Sequence, residues 1–264
     1  MSFDTFVLSL NAGARGAIHA EGLDMQQELV GQNVIVIGGS AGIGLETARR
    51  ARTEGANLIL TARNSGLLAQ VARELSAART AVFDANDPVS LESFFRDLSA
   101  EVDHVMVTAG APHYGPPLQM PREEALRGLS AHLMLALDVA RYAAGKIKPG
   151  GSITFMSGTG ARRPHLGIGI AGTATAAFPA LVANLALELA PIRVNLIAAG
   201  FVDTRLSASI LGDALDQRRD ELRATLPIRR VVTPADVAAL AVHLMTNTAL
   251  TGATYDVDGG QQLL

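Results

Sequence analysis

An apolar, β-branched run, Asn33-Val34-Ile35-Val36-Ile37, leads straight into Gly38-Gly39-Ser40-Ala41-Gly42-Ile43-Gly44, and a helical pattern begins inside those glycines. A strand, a glycine bend and a helix start in that order leave a chain few architectures. Glycines let the backbone approach a pyrophosphate, and the helix that follows turns free N–H groups and its positive end toward the anion. The segment predicts a dinucleotide turn built from Gly38, Ser40, Ala41, Gly42, Ile43 and Gly44, with a merely tight turn as the alternative.

The rest of the chain keeps the same rhythm. Further strands are predicted at Asn57 to Thr61, Thr80 to Asp84, His104 to Thr108, Ser152 to Met156, Arg193 to Ile197 and Thr254 to Val257. Helical patterns fall between them at Gly42 to Glu54, Gly66 to Leu75, Pro88 to Leu98, Arg122 to Lys146, Ile168 to Leu189 and Pro234 to Met245, the last with Thr233 as its cap. Alternating strands and helices predict an α/β fold: a Rossmann-type, doubly wound parallel sheet of about seven strands in a three-layer α/β/α sandwich. With 48% hydrophobic and only 4% aromatic residues, the core is expected to be aliphatic, as in helix-covered parallel sheets. Leu206 to Thr225 reads as an inserted helical pair, placed to cover ligands beyond the carboxyl ends of the strands. No repeat or linker divides the chain, so residues 25–264 are expected to form one domain behind an extension, residues 1–24, of unassigned role.

Composition also limits the partners. A formal net charge of -3 gives no electrostatic reason to expect nucleic acid or an anionic membrane surface. The absence of cysteine excludes disulfides, thiolate metal sites and a cysteine nucleophile; no metal site is expected, and a cytoplasmic setting suits the composition. Phe6-Val7-Leu8 follows Asp4 rather than a basic stretch and does not read as a secretion signal. Leu166 to Leu187 carries no charge and is long enough to cross a bilayer, yet it is rich in small residues and interrupted by Pro179 and Asn184. A helix buried at a subunit contact is the preferred reading, in a homodimer or homotetramer.

The spacing Gly38-x-x-x-Gly42-x-Gly44 resembles that of the short-chain dehydrogenase/reductase family, and further motifs follow in the family's order from Val30 to Leu264. Asp84, in Phe83-Asp84-Ala85-Asn86-Asp87, resembles the family's adenine-contacting acid, and Thr108-Ala109-Gly110 stands where the family has Asn-Asn-Ala-Gly. Arg193 to Thr204 resembles the segment that closes over the nicotinamide, and Thr251 to Gly260 the family's tail. The resemblance adds Asp84, Ala85, Ala109, Gly110, Gly200, Val202 and Thr204 to the cofactor-binding set. Where an NAD-binding relative places an acid for the ribose 2′-OH, this chain has Ala62 followed by Arg63, whose guanidinium suits a 2′-phosphate; NADP(H) is therefore favoured over NAD(H).

The family's chemistry uses a Ser, a Tyr and, four residues beyond it, a Lys. Ser157 matches the Ser, but thirteen residues on stands Ile170, and Ala174 follows at the Lys position. Tyr114, Tyr142 and Tyr255 are the only tyrosines and Lys146 and Lys148 the only lysines, so no shift of register supplies the pair. Tyr142 and Lys146 have the right mutual spacing in the wrong place, which reads as an exposed helical pair. His132 falls near the family's helix Asn and is the candidate proton donor, with a purely structural histidine as the alternative. Tyr114, His113, His165, Arg162 and Arg163 lie in loops that would face a small-molecule substrate, the two arginines suiting a carboxylate or phosphate. The resemblance implies an NADP(H)-dependent oxidoreductase with an altered active site. A catalytically inactive NADP(H)-binding sensor or scaffold is the first alternative, and a non-redox lyase or isomerase the second.

Overall fold

The computed structural model describes residues 27–264; the extension read at 1–24 lies outside them. Seven strands, β1 (Asn33–Ile37), β2 (Asn57–Ala62), β3 (Arg79–Val82), β4 (Val102–Val107), β5 (Ile147–Gly158), β6 (Arg193–Ala199) and β7 (Thr254–Val257), form one sheet in the order β3-β2-β1-β4-β5-β6-β7. Every pairing is parallel. Helices α1 (Gly42–Thr53), α2 (Ser65–Leu75) and α8 (Pro234–Thr246) contribute to the core on one face, and α3 (Pro88–Arg96), α4 (Arg122–Ala143) and α5 (Gly169–Glu188) to the core on the other. The sequence predicts this doubly wound, three-layer sandwich.

Alternation along each strand divides the core in two. Ile35 and Ile37 pack with Phe94, Phe95, Phe155 and Phe178, while Val34 and Val36 pack with Ala48, Ala51 and Val237. Burial on both faces is why the strands read as continuous apolar runs rather than as alternating ones. β5 begins five residues before its predicted start, after a register shift between Val102 and His104, and β3 ends before Asp84. The early end of β3 leaves Asp84 and Ala85 in a turn at the carboxyl edge of the sheet.

Two buried polar groups brace the opposite edge. Arg193, at the start of β6 and 6% exposed, donates to the carbonyls of Leu244 (2.6 Å), Met245 (2.7 Å), Asn247 (3.2 Å) and Leu250 (3.3 Å). A cation thus satisfies the orphan carbonyls at the C-terminal end of α8 and complements its dipole. His104 on β4 shares a hydrogen bond between Nδ1 and the Ser152 hydroxyl (2.8 Å) and another between Nε2 and Gln32 Oε1 (2.6 Å). Its burial, reinforced by the Arg193 charge, pushes the imidazole down to about 4.

Among the described residues one helix, α5, is long and apolar enough to cross a membrane. Phe178, Val182 and Leu185 seat it in the core, and Ala176, Ala177, Ala180, Ala183 and Leu187 form its exposed face. After β6 the chain makes the expected helical pair, α6 (Arg205–Leu211) and α7 (Leu215–Thr225). Thr204 and Ser207 form a capping box at the start of α6, and Asp203 holds α7 through two contacts to Arg219, at 3.0 and 2.7 Å.

Candidate functional site

Strand order reverses between β2-β1 and β4, and a ligand crevice is expected beyond the carboxyl ends of the strands at such a point. The glycine turn lies there. Gly38 and Gly39 donate to the Thr61 carbonyl, each at 3.0 Å, and Thr108 at the end of β4 shares its hydroxyl between the carbonyls of Ile37 (3.1 Å) and Gly38 (3.2 Å). At Gly38, φ is +94° and a Cβ would stand 2.7 Å from Thr108 Oγ1; at Gly44 it would stand 2.3 Å from the Gly38 oxygen. Only glycine permits this compact bend.

Gly42, with φ +55°, is open by contrast: the nearest atom to a Cβ there would be the Thr204 methyl, at 3.6 Å. No side chain caps α1 and its first turn carries no acid. The N–H groups of Gly42, Ile43 and Gly44 therefore border the cleft without an internal acceptor, a ready site for a diphosphate. The cradle fits a dinucleotide.

At one end of the cleft Arg63, 78% exposed, stands 3.9 Å from the Asp84 carboxylate, which accepts hydrogen bonds from Asn86. So loose a pair leaves the guanidinium available to a 2′-phosphate. Ala85, Ala109, Gly110, Gly200, Val202 and Thr204 line the same cleft, so the structure brings the whole expected cofactor set together. Gly200 permits close approach by the tail, since a Cβ there would stand 2.7 Å from Gln261 Oε1, the acceptor for Phe201 N–H.

The cleft, about 1450 Å³, continues past Gly110 to Ser157 and His132. Gly110 and His132 interlock: a Cβ on Gly110, where φ is +121°, would lie 2.0 Å from His132 Nε2. Among the described residues no hydrogen bond is made by either His132 ring nitrogen or by the Ser157 hydroxyl. His132 is therefore not held by a polar neighbour. Burial lowers its pKa, and the His113 charge adds to the effect. His113 lies against Gly128, one turn before His132 on α4.

Three sequence expectations need correction. Ile170 does not face the cleft; its Cγ2 lies 2.6 Å from where a Gly128 Cβ would be. On α5 the cleft is lined by Ala171, Ala174, Thr175 and Phe178, so of the two counted positions only Ala174 lines it, and none of these residues is Tyr or Lys. Second, Tyr142 and Lys146 are no exposed helical pair: Tyr142 packs against the core, while Lys146, past the end of α4, donates to the Arg96 and Leu98 carbonyls, both at 3.1 Å. Third, Arg162 does not line the cleft. It pairs with Asp256 and Gln262, whereas Arg163, Tyr114 and His165 line the cleft.

The sequence reading missed Thr108 as the staple of the glycine turn, although its place after β4 was the available signal. It also missed Thr175, Gln261 and the cleft-facing lid cations Arg205 and Arg218, which nothing in the local sequence distinguishes from their neighbours.

Residues 38–262 match the family model described as Enoyl-(Acyl carrier protein) reductase. The chain is 28% identical over 250 residues to the short-chain dehydrogenase/reductase ATR9 of Stachybotrys chlorohalonatus, covering 87% of this chain and 96% of that protein. It is 29% identical over 236 residues to the cyclic-di-GMP-binding biofilm dispersal mediator protein of Escherichia coli, covering 87% and 96%. A crystal structure of a small-chain dehydrogenase in complex with NADPH superposes with a TM-score of 0.75 at 28% identity, covering 88% of this chain and 99% of that one.

Proposed function

Because the chain belongs to the short-chain dehydrogenase/reductase family, whose model spans residues 38–262, we propose that it is an oxidoreductase that uses NADP(H) in preference to NAD(H). Its substrate is a small carbonyl compound or the corresponding alcohol. The reading is carried by one juxtaposition: an uncapped glycine cradle shares its cleft with an unengaged serine and an unengaged imidazole. The NADPH complex of the similar dehydrogenase supports the cofactor, and Arg63 in place of an acid supports the 2′-phosphate.

The amides of Gly42, Ile43 and Gly44 hold the diphosphate, Arg63 the 2′-phosphate and Asp84 the adenosine end. NADP(H), when bound, supplies or accepts the hydride. Ser157 donates its hydroxyl to the substrate oxygen, and His132 moves the proton at that oxygen. Since burial lowers its pKa, His132 is neutral at neutral pH and ready to act as a base, which favours alcohol oxidation there. Carbonyl reduction needs its protonated form and rises as pH falls. Replacement of His132 by Gln should lower turnover by about 10² or more with NADPH affinity retained. Unchanged turnover would remove His132 from the chemistry.

The absent Tyr and Lys favour a second reading, in which the cleft binds NADP(H) without turning over. Calorimetry followed by stopped-flow oxidation of bound NADPH against a carbonyl panel separates the two: tight binding with no hydride loss to any acceptor supports the sensor. We further assign the exposed small-residue face of α5 to a homo-oligomeric contact, since small side chains allow close helix approach; a monomer by light scattering would refute that assignment.

A further inference from the structure

Besides Arg63 the cleft is lined by three more arginines, Arg163 from the loop after β5 and Arg205 and Arg218 from the lid. Among the described residues the one acid that lines it is Asp84, which stands beside Arg63. Two of these cations sit next to arginines that the fold neutralises. Arg162 is paired with Asp256, and Arg219 with Asp203 and Asp216. Their neighbours are held more lightly: Arg163 has one contact, to the Gln261 carbonyl at 3.2 Å, and no carboxylate partner among the described residues, and Arg218 has a single ion pair, to Glu221 at 3.2 Å, where Arg219 has two.

Arg205 follows Thr204, whose methyl borders Gly42 of the glycine turn, whereas Arg163 and Arg218 come from the loop after β5 and from α7. The same cleft presents apolar side chains, with Tyr114 49% exposed and Leu206 and Ile210 each 45% exposed. Apolar surface left bare in a cleft marks a place for a ligand. Guanidinium groups that line a cleft concentrate anions and bind planar oxyanions through paired N–H groups.

We propose that the substrate is an organic anion, its apolar body against Tyr114, Leu206 and Ile210 and its carboxylate or phosphate held by Arg163 and Arg218. This deepens the oxidoreductase reading and rests on it for the presence of the reacting carbonyl.

The test uses the full chain saturated with NADP⁺ and calorimetric titration with 4-oxo-4-phenylbutanoate and its methyl ester, which differ in the charge and one methyl group. The acid should bind about tenfold more tightly than the ester. Arg163→Gln and Arg218→Gln should each weaken the acid about fivefold, leaving the ester and NADP⁺ within about twofold. Benzoate against phenyl phosphate then separates the two head groups, either preference being consistent with the proposal. Equal binding of acid and ester, or an acid affinity that ignores both variants, overturns it. If NADP⁺ itself fails to bind, the oxidoreductase reading falls, and the acid–ester comparison on the dinucleotide-free chain still decides the anion site.

Discussion

Acidification should destabilise this protein through His104 before its carboxylates titrate. The imidazole is buried at 4% exposure, and the fold holds its pKa at about 4 against an ordinary 6.5. Its native state refuses a proton that the unfolded chain accepts, so between those two values the unfolded state binds more protons. Stability is complete above pH 6.5, falls by nearly 1.4 kcal/mol per unit as pH drops, and levels below about pH 4. The shift amounts to about 3 kcal/mol in all and about 2 kcal/mol at pH 5, a large part of a typical folding free energy. Urea unfolding from neutral pH to pH 4 would measure this in the wild type and in His104→Gln. The variant should lose stability at neutral pH, because Ser152 and Gln32 lose their partner, yet its pH profile should be flatter by that same 2 kcal/mol at pH 5. Parallel profiles would refute the argument and assign the acid sensitivity to other groups.

Replacing Arg193 with Met should cost about 3 kcal/mol in urea unfolding, since the carbonyls ending α8 lose a buried charged donor; an unchanged midpoint would contradict the bracing role. Gly44→Ala forces a Cβ to within 2.3 Å of the Gly38 oxygen, so NADPH affinity measured by calorimetry should fall by about tenfold or more. Arg63→Ala should weaken NADPH about tenfold with little effect on NADH, and equal losses for both would remove Arg63 from the 2′-phosphate. Installing Tyr at 171 and Lys at 175 together should raise ketone reduction about 10²-fold if the cleft is otherwise competent, whereas no gain in steady-state rate would show that more than the pair is missing.

The sandwich and the cofactor end of the cleft were legible because each depends on neighbours in sequence. Val34 to Ile37 and Gly38 to Gly44 are adjacent, and an apolar strand followed by a glycine bend has one common use. The substrate end was harder to read, since it is assembled from loops whose lengths vary. A count from Ser157 crosses the turn between Thr159 and Ile168 and reaches Ile170, which packs at Gly128, and Ala174, which lines the cleft; on a helix only part of the residues can face one side. Adjacent arginines show the same limit: Arg162 and Arg163 are alike in sequence, and only the arrival of Asp256 from the last strand makes one structural. Nor did any local signal mark Arg193 as the partner of carbonyls more than fifty residues on.

Arg193 and His104 lie near the amino ends of their strands, and the glycine bend, Ser157 and the lid lie at the carboxyl ends. Rigidity and chemistry thus occupy opposite rims of the same sheet. Outside the glycine bend and Thr108, side chains that line the cleft can change without touching the bracing of the far rim. A laboratory search for new substrates can therefore randomise positions such as Tyr114, Leu206 and Ile210, provided that the glycine bend and the far rim are left alone.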